Sequence, residues 1–234
     1  MNASLLQGTR NTRDLGVLLP GGAERRLLRS DHLAALTQED ADRLRAWGVG
    51  LILDLRRPDE QLRQPTPAFV SARVVEVTVD NTPLFTVRRL DPTFRLAELY
   101  LHMLHVHGAV FARAVHLAAD SLRRGQGVLF HCSAGKDRTG LLAALILLCV
   151  GVPRADVVSD YARTRAMLEG APQMDVATIP PNTDPAFYKA LLGCEPEAME
   201  TALDELERLG GAARWLQNAG ASRADVEFWS SGKI

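Results

Sequence analysis

The chain has 234 residues, 47% hydrophobic and 24% charged, ordinary proportions for a globular chain of one large domain or two small ones. A net charge of −1 and a pI near 6.6 exclude the basic footprint of a nucleic-acid binder, so any attraction for anions has to be local. Three widely spaced cysteines, Cys132, Cys149 and Cys194, exclude a disulfide framework and a CxxC zinc site, and reduced thiols are the default.

From the N-terminus, Arg10 and Arg13 arrive before any apolar stretch long enough for a signal sequence. The expected location is therefore cytoplasmic, with export lacking a Sec signal left open. Leu15–Leu19 reads as a short strand closed by the turn residues Pro20, Gly21 and Gly22. Thr37, with Asp40 three residues on, predicts a capped helix running to Trp47 and ended by Gly48. Val49–Leu55 reads as a buried strand, and Arg73–Val79 alternates as a second one. Helical periodicity runs from Phe94 to about Arg124, with a bend expected at Gly108 and a stop at Gly125 and Gly127.

Val128–His131 is a short apolar strand, and Thr139–Val150 a buried helix. The longest apolar run, Leu141–Val152, falls well short of the roughly 20 residues that span a bilayer, so no stable membrane insertion is expected. After Pro153 the pattern is helical: Asp156–Leu168, Pro185–Leu192, Pro196–Leu209 and Ala212–Asn218, with a loop over Gly170–Asp184. Strands alternating with helices give an α/β plan. No repeat or linker divides the chain, so residues 1–234 are expected to form one domain. Residues 153–192 are a candidate helical lid because they directly follow the helix that leaves the motif below.

That motif is HCSAGKDRTG, residues 131–140. A strand delivers Cys132 to a tight loop of Ser133, Ala134, Gly135 and Lys136, and Arg138 stands at the mouth of a helix. Backbone N–H groups and the helix dipole converge on one point, an anion site. A guanidinium six positions after the cysteine can grip two phosphate oxygens, and the same field favours a thiolate able to attack phosphorus. A nucleotide-binding GxxxxGK[ST] loop fails twice, since Phe130 and Asp137 stand where Gly and Ser or Thr are required.

The Cys-x5-Arg spacing, together with NTRDLG at 11–16 and DLRRPDE at 54–60, resembles the bacterial tyrosine phosphatases of the atypical, phosphoinositide-capable type. Val17 stands where that family's first motif has a second glycine. The resemblance implies a cysteine-phosphatase fold, a mixed sheet with helices on both faces and a helical C-terminal region. It also implies hydrolysis of phosphate monoesters on phosphorylated protein or phosphoinositide. Cys132 would be the nucleophile and Arg138 the phosphate clamp. Thr139 would hydrogen-bond the cysteine sulfur, and His131 would orient the loop from behind. For the general acid Asp137 comes first, Asp54 second, with Asp80 and Asp91 behind them. The GKxR pattern resembles phosphatases that accept phosphoinositides, so Lys136 is a candidate contact for a second phosphate.

Simpler roles stand beside these. Asp54 and Arg56 fit a salt bridge at a strand end as readily as a substrate contact. Asn11, Arg13 and Asp14 fit a turn beneath the site. Cys149 fits packing, and Cys194 either a redox partner or a surface thiol. His102, His105 and His107 share no completed ligand set, and no metal or organic cofactor is expected. Two other functions compete: an inositol-polyphosphate or phosphoinositide phosphatase with little action on protein, and a silent module that binds phosphorylated ligands.

Overall fold

Five short strands meet in one mixed sheet in the computed structural model, which describes residues 4–171 and 179–232. The strands are β1 (Arg13–Asp14), β2 (Leu27–Ser30), β3 (Val49–Asp54), β4 (Arg73–Glu76) and β5 (Gly127–His131), in the order β1-β2-β5-β3-β4. Only β1 runs antiparallel to its neighbour; β5 lies between β2 and β3, parallel to both, with Ser30 and Asp54 each opposite His131. Side chains alternate across these strands. Leu27, Leu51, Leu53, Val128 and Phe130 face the larger core, whereas Leu28, Ile52 and Leu129 face a smaller one with Leu44. Parallel strands covered on both faces are close to fully apolar, as β5 is.

The smaller core is closed by α1 (Gln38–Ala46). Thr37 and Asp40 form its capping box, and Gly48, at φ 71°, turns the chain into β3. The other face carries α4 (Leu96–Val106), α5 (Gly108–Arg123) and α6 (Asp137–Val150). The predicted long helix is thus two helices broken at His107, close to the expected bend. Helix α6 is the apolar run that sequence marks as buried, and Gly151, at φ 91°, ends it. Among the described residues no helix is long and apolar enough to cross a membrane.

Beyond α6 come α7 (Arg154–Met167), α8 (Pro185–Leu192), α9 (Pro196–Arg208), α10 (Ala212–Asn218) and α11 (Arg223–Ser230). Part of the predicted 170–184 loop, residues 172–178, lies outside the described residues. Two short helices, α2 (Pro58–Arg63) and α3 (Thr82–Arg88), sit in the stretches after β3 and β4.

One sequence expectation is corrected here. Leu15–Leu19 is not a strand: Gly16–Leu18 form a 3₁₀ turn, because the Asp14 carboxylate accepts the Gly16 and Arg25 N–H groups and folds the chain back at once. A Cβ on Gly16 would lie 1.9 Å from the Ala23 carbonyl oxygen, so only glycine permits this approach.

Candidate active site

Cys132 follows the last residue of β5, and α6 begins five residues later, so the motif loop closes a strand-to-helix turn at the carboxyl end of the parallel strands. The loop is held from below by its carbonyls. The His32 N–H donates to Ser133 O at 2.9 Å. Asn11 Nδ2 donates to Ala134 O at 2.8 Å and Gly135 O at 3.1 Å, and Arg29 Nη2 to Gly135 O at 2.7 Å. In a trans peptide the N–H points opposite the C=O. The N–H groups of Ala134, Gly135 and Lys136 are therefore turned away from this frame, and they find no acceptor among the described residues. Gly135, at φ 66°, permits the turn; a Cβ there would lie 2.4 Å from Ser30 O.

The frame is itself braced. Asp160 of α7 takes Arg13 Nε at 2.7 Å and Arg29 Nη1 at 2.6 Å, while Arg13 also reaches Thr164 Oγ1 and the Asn11 carboxamide oxygen. Burial and the neighbouring Arg29 lower the Arg13 guanidinium to about 10. Asn11, Arg13 and Asp14 thus occupy the supporting position their sequence suggests. Behind Cys132, the His131 ring is fully buried and its Nδ1–H donates to Cys132 O at 3.1 Å. Burial lowers its pKa to about 4, so it orients the loop as a neutral ring.

Arg138 meets a partner that motif spacing did not single out. Glu60 of α2 receives Arg138 Nη1 at 2.7 Å and Nη2 at 2.8 Å on its two oxygens, and Ser133 Oγ at 2.5 Å. The same carboxylate caps α2 by accepting the Arg57 N–H at 2.9 Å. Burial pushes the Glu60 carboxyl up, but the Arg138 fork and its charge more than offset this, leaving it well below the ordinary range. An end-on fork occupies one N–H on each terminal nitrogen. Nη2 also reaches Ser133 Oγ at 3.5 Å and Nη1 the Leu55 carbonyl at 3.4 Å, while Nε–H, on the side-on edge, finds no acceptor among the described residues.

Asp137 is three-quarters buried or more and receives the Tyr100 hydroxyl on Oδ1 at 2.9 Å. Tyr100 in turn shares a 2.6 Å hydrogen bond with the Tyr161 hydroxyl. Lys136 does not reach outward. Its ammonium, 2% exposed, donates to Leu191 O at 2.7 Å and Gly193 O at 2.6 Å, and lies 3.5 Å from Asp137 Oδ1. Two of its three donors are taken by the end of α8 and the ammonium faces Asp137, so Lys136 ties the wall of the cleft to its floor in addition to any contact with a second phosphate.

Cys132, Ser133, Ala134, Lys136, Asp137 and Arg138 line one cleft of about 200 Å³. Its other walls are Phe85 of α3, Leu99 of α4, Leu191 and Leu192 of α8, and the polar residues Arg57 and Asn81. Several sequence candidates do not line it. Asp54 is 3% exposed and held by Arg56 at 2.7 Å; burial raises its carboxyl, but the Arg56 hydrogen bonds bring it below the ordinary value. It forms the strand-end salt bridge and does not line the cleft. Thr139 is fully buried in α6, and its Oγ1 finds no partner among the described residues, so the expected bond to the cysteine sulfur is not made. Gly135 has no side chain to line the cleft, and its positive φ sets the turn of the loop. Asp80 and Asp91 cap neighbouring turns through Thr82 and Thr93.

Among the described residues of the 153–192 stretch, α8 alone borders the cleft. Its Phe187 packs on Phe85 and Phe94 at centroid distances of 6.2 and 4.6 Å. Helix α7 lies beneath the loop, where Asp160 and Tyr161 are buried. Cys149 is buried in α6, where burial pushes its thiol up to about 12, and Cys194 is buried rather than on the surface.

Among known proteins, the model of a family described as the tyrosine phosphatase family matches residues 4–231. A tyrosine-protein phosphatase of Nostoc commune is 30% identical over 216 residues, covering 86% of this chain and 71% of that protein. The triple specificity protein phosphatase PtpB of Mycobacterium tuberculosis is 35% identical over 127 residues, 49% of this chain and 46% of that protein. The crystal structure of P. aeruginosa TpbA aligns over 89% of this chain and 88% of its own at 16% identity, with a TM-score of 0.37, a likeness too loose to build on.

Proposed function

Since the chain belongs to the tyrosine phosphatase family, we propose that its cleft hydrolyses aryl phosphate monoesters, phosphotyrosine first among them, through a phosphocysteine on Cys132. Family membership makes the protein a phosphatase acting on phosphorylated substrates; the choice of ester and the route are the reading offered here. The observation that carries it is the make-up of one cleft. Cys132, Asp137 and Arg138 share it with Phe85, Leu99, Leu191 and Leu192. An aromatic ring gains from burial between such walls, whereas a hydroxyl-rich inositol ring would lose hydration there with only Arg57 and Asn81 as polar wall partners in return.

In the first step the Cys132 thiolate attacks phosphorus in line. The P–O bond to the leaving group breaks, and Asp137 gives that oxygen its proton. The side-on edge of Arg138 and the N–H groups of Ala134, Gly135 and Lys136 hold the equatorial oxygens, whose charge they stabilise through the transition state. With Oδ1 occupied by Tyr100, Oδ2 of Asp137 carries the proton. In the second step a water attacks the phosphocysteine, its proton passes to Asp137, and the P–S bond breaks to release phosphate and restore the thiolate.

The match over residues 4–231 supports a single phosphatase domain. The Lys136 bonds and the Phe85–Phe187 contact support a cover over the cleft made of α3 and α8 rather than of all of 153–192. A panel of phosphotyrosyl peptide, phosphoseryl peptide and phosphatidylinositol phosphate, run beside Cys132→Ser, tests the reading. Turnover is expected on the first, weakly or not at all on the others, and none in the variant. Greater turnover of the lipid overturns the choice of ester, and turnover of nothing would make the chain a binding module. Asp137→Asn should lose more activity as the leaving group worsens; a uniform loss would remove Asp137 as the acid.

A further inference from the structure

Asn81 stands at the N-cap position of α3 without doing the work of a cap. An asparagine there ordinarily accepts an N–H of the first turn through its side chain. In this protein Asp80 does so instead, its Oδ1 taking the Thr82 N–H at 2.9 Å, and Asn81 makes no side-chain cap bond. Asn81 is nevertheless 5% exposed, and its carboxamide oxygen is buried with no donor among the described residues. It lines the same cleft as Cys132 and Arg138. One turn on, Phe85, whose N–H donates to the Asn81 carbonyl at 3.1 Å, contributes an apolar wall to that cleft.

A buried acceptor left unpaired destabilises a fold, so its place in a substrate cleft calls for a donor that arrives with the substrate. An aryl phosphate dianion brings no donor. The main chain that carries a phosphotyrosine brings an N–H at every residue. We propose that Asn81 is a recognition residue for peptide substrates, its Oδ1 accepting a backbone N–H at or beside the phosphotyrosine. The proposal rests on the cleft being the phosphotyrosine site, and it adds that the enzyme reads the peptide as well as the phosphorylated ring.

The test compares p-nitrophenyl phosphate with a phosphotyrosyl peptide in the wild type, Asn81→Leu and Asn81→Asp. Leucine keeps the volume and removes the acceptor; aspartate keeps an acceptor oxygen. The expected result is a kcat/KM ratio, peptide over p-nitrophenyl phosphate, about tenfold lower in Asn81→Leu, carried mainly by KM, and restored toward the wild type in Asn81→Asp. Melting curves check folding, and Asn81→Ala replaces the leucine variant if that one melts early. An unchanged ratio overturns the proposal while leaving the phosphotyrosine reading intact. An equal fall in kcat on both substrates also overturns it, by assigning Asn81 to the hydrolytic water. A selective loss on phosphatidylinositol phosphate assigns the donor to an inositol hydroxyl and overturns it as well. A wild type that hydrolyses p-nitrophenyl phosphate but not the peptide overturns both readings.

Discussion

Replacing Glu60 with glutamine sets two effects of opposite sign against each other. Glu60 is an anion beside an anion site, so removing its charge relieves repulsion of the substrate phosphate. At roughly 7 Å and an effective dielectric near 20 that relief is about 2 kcal/mol for each charge on the phosphate, about 5 kcal/mol for the dianion. Against it stands the fork to Arg138, made at 2.7 and 2.8 Å between side chains only 12% and 13% exposed. Removing one partner of a largely buried pair costs about 3–5 kcal/mol. The glutamine amide would also point a donor at either Arg138 or Ser133, both of which are already donors to Glu60. The two effects are of similar size, so phosphate should bind at least as tightly, while the misaimed Arg138 fork lowers kcat on p-nitrophenyl phosphate about tenfold to a hundredfold. The α2 cap survives because the amide oxygen can still accept the Arg57 N–H. Steady-state kinetics with inorganic phosphate as competitive inhibitor would decide the sign. A rise in kcat would refute the reasoning, since it would make Glu60 a brake rather than a brace.

Three further outcomes follow from the same geometry. Lys136→Met should lower stability by about 2 kcal/mol and speed proteolytic cleavage near Leu191–Gly193. It should harm phosphotyrosine and phosphoinositide turnover alike, and selective harm to the lipid would return Lys136 to substrate contact. Tyr100→Phe removes the bond to Asp137 Oδ1, so activity should fall about fivefold on phenyl phosphate and less on p-nitrophenyl phosphate; an equal fall would make Tyr100 purely structural. His131, lowered by burial to about 4 from 6.5, leaves the unfolded chain binding the extra proton between those values. Stability is therefore lost as pH falls from about 6.5 toward 4, by up to about 3 kcal/mol, and urea midpoints across that range measure it. The carboxyls held low, Asp54 and Glu60, add their own loss only below the ordinary carboxylate range.

Elements with long periodic patterns or explicit caps were legible in the sequence: α1 by its capping box, α6 by its apolar run, and α8 and α10 at their full observed extents. Illegible ones were short or depended on distant partners. Strand β2 is four residues, two of them Leu27 and Leu28 facing opposite cores, and its Arg29 is buried only because Asp160, 131 positions later, accepts it. No local pattern carries that information. Helix α2 is six residues with none buried, so it presents no apolar stripe to read. The 3₁₀ turn at Gly16–Leu18 reads as a strand because Leu15 and Leu19 are both buried, a spacing that fits either state.

The site divides along the same line. Residues whose function depends on position within one loop, Cys132, Ser133, Ala134, Asp137 and Arg138, are found together in the cleft because spacing within a strand–loop–helix turn fixes their relation. What each charged group is paired with is set across the fold, and that is where sequence misled. Lys136 reads as a cation at the pocket wall beside the arginine, yet carbonyls at the end of α8, 55 and 57 positions on, accept two of its three N–H groups. Asp54 reads as a candidate acid, yet Arg56 neutralises it two residues away. Glu60 had a visible signal, the last residue of DLRRPDE, but its meaning depended on Arg138 arriving from 78 positions later. A buried charge is defined by its partner, so the chemistry of such a loop can be read locally while its specificity has to be read from the walls that the rest of the chain brings to it.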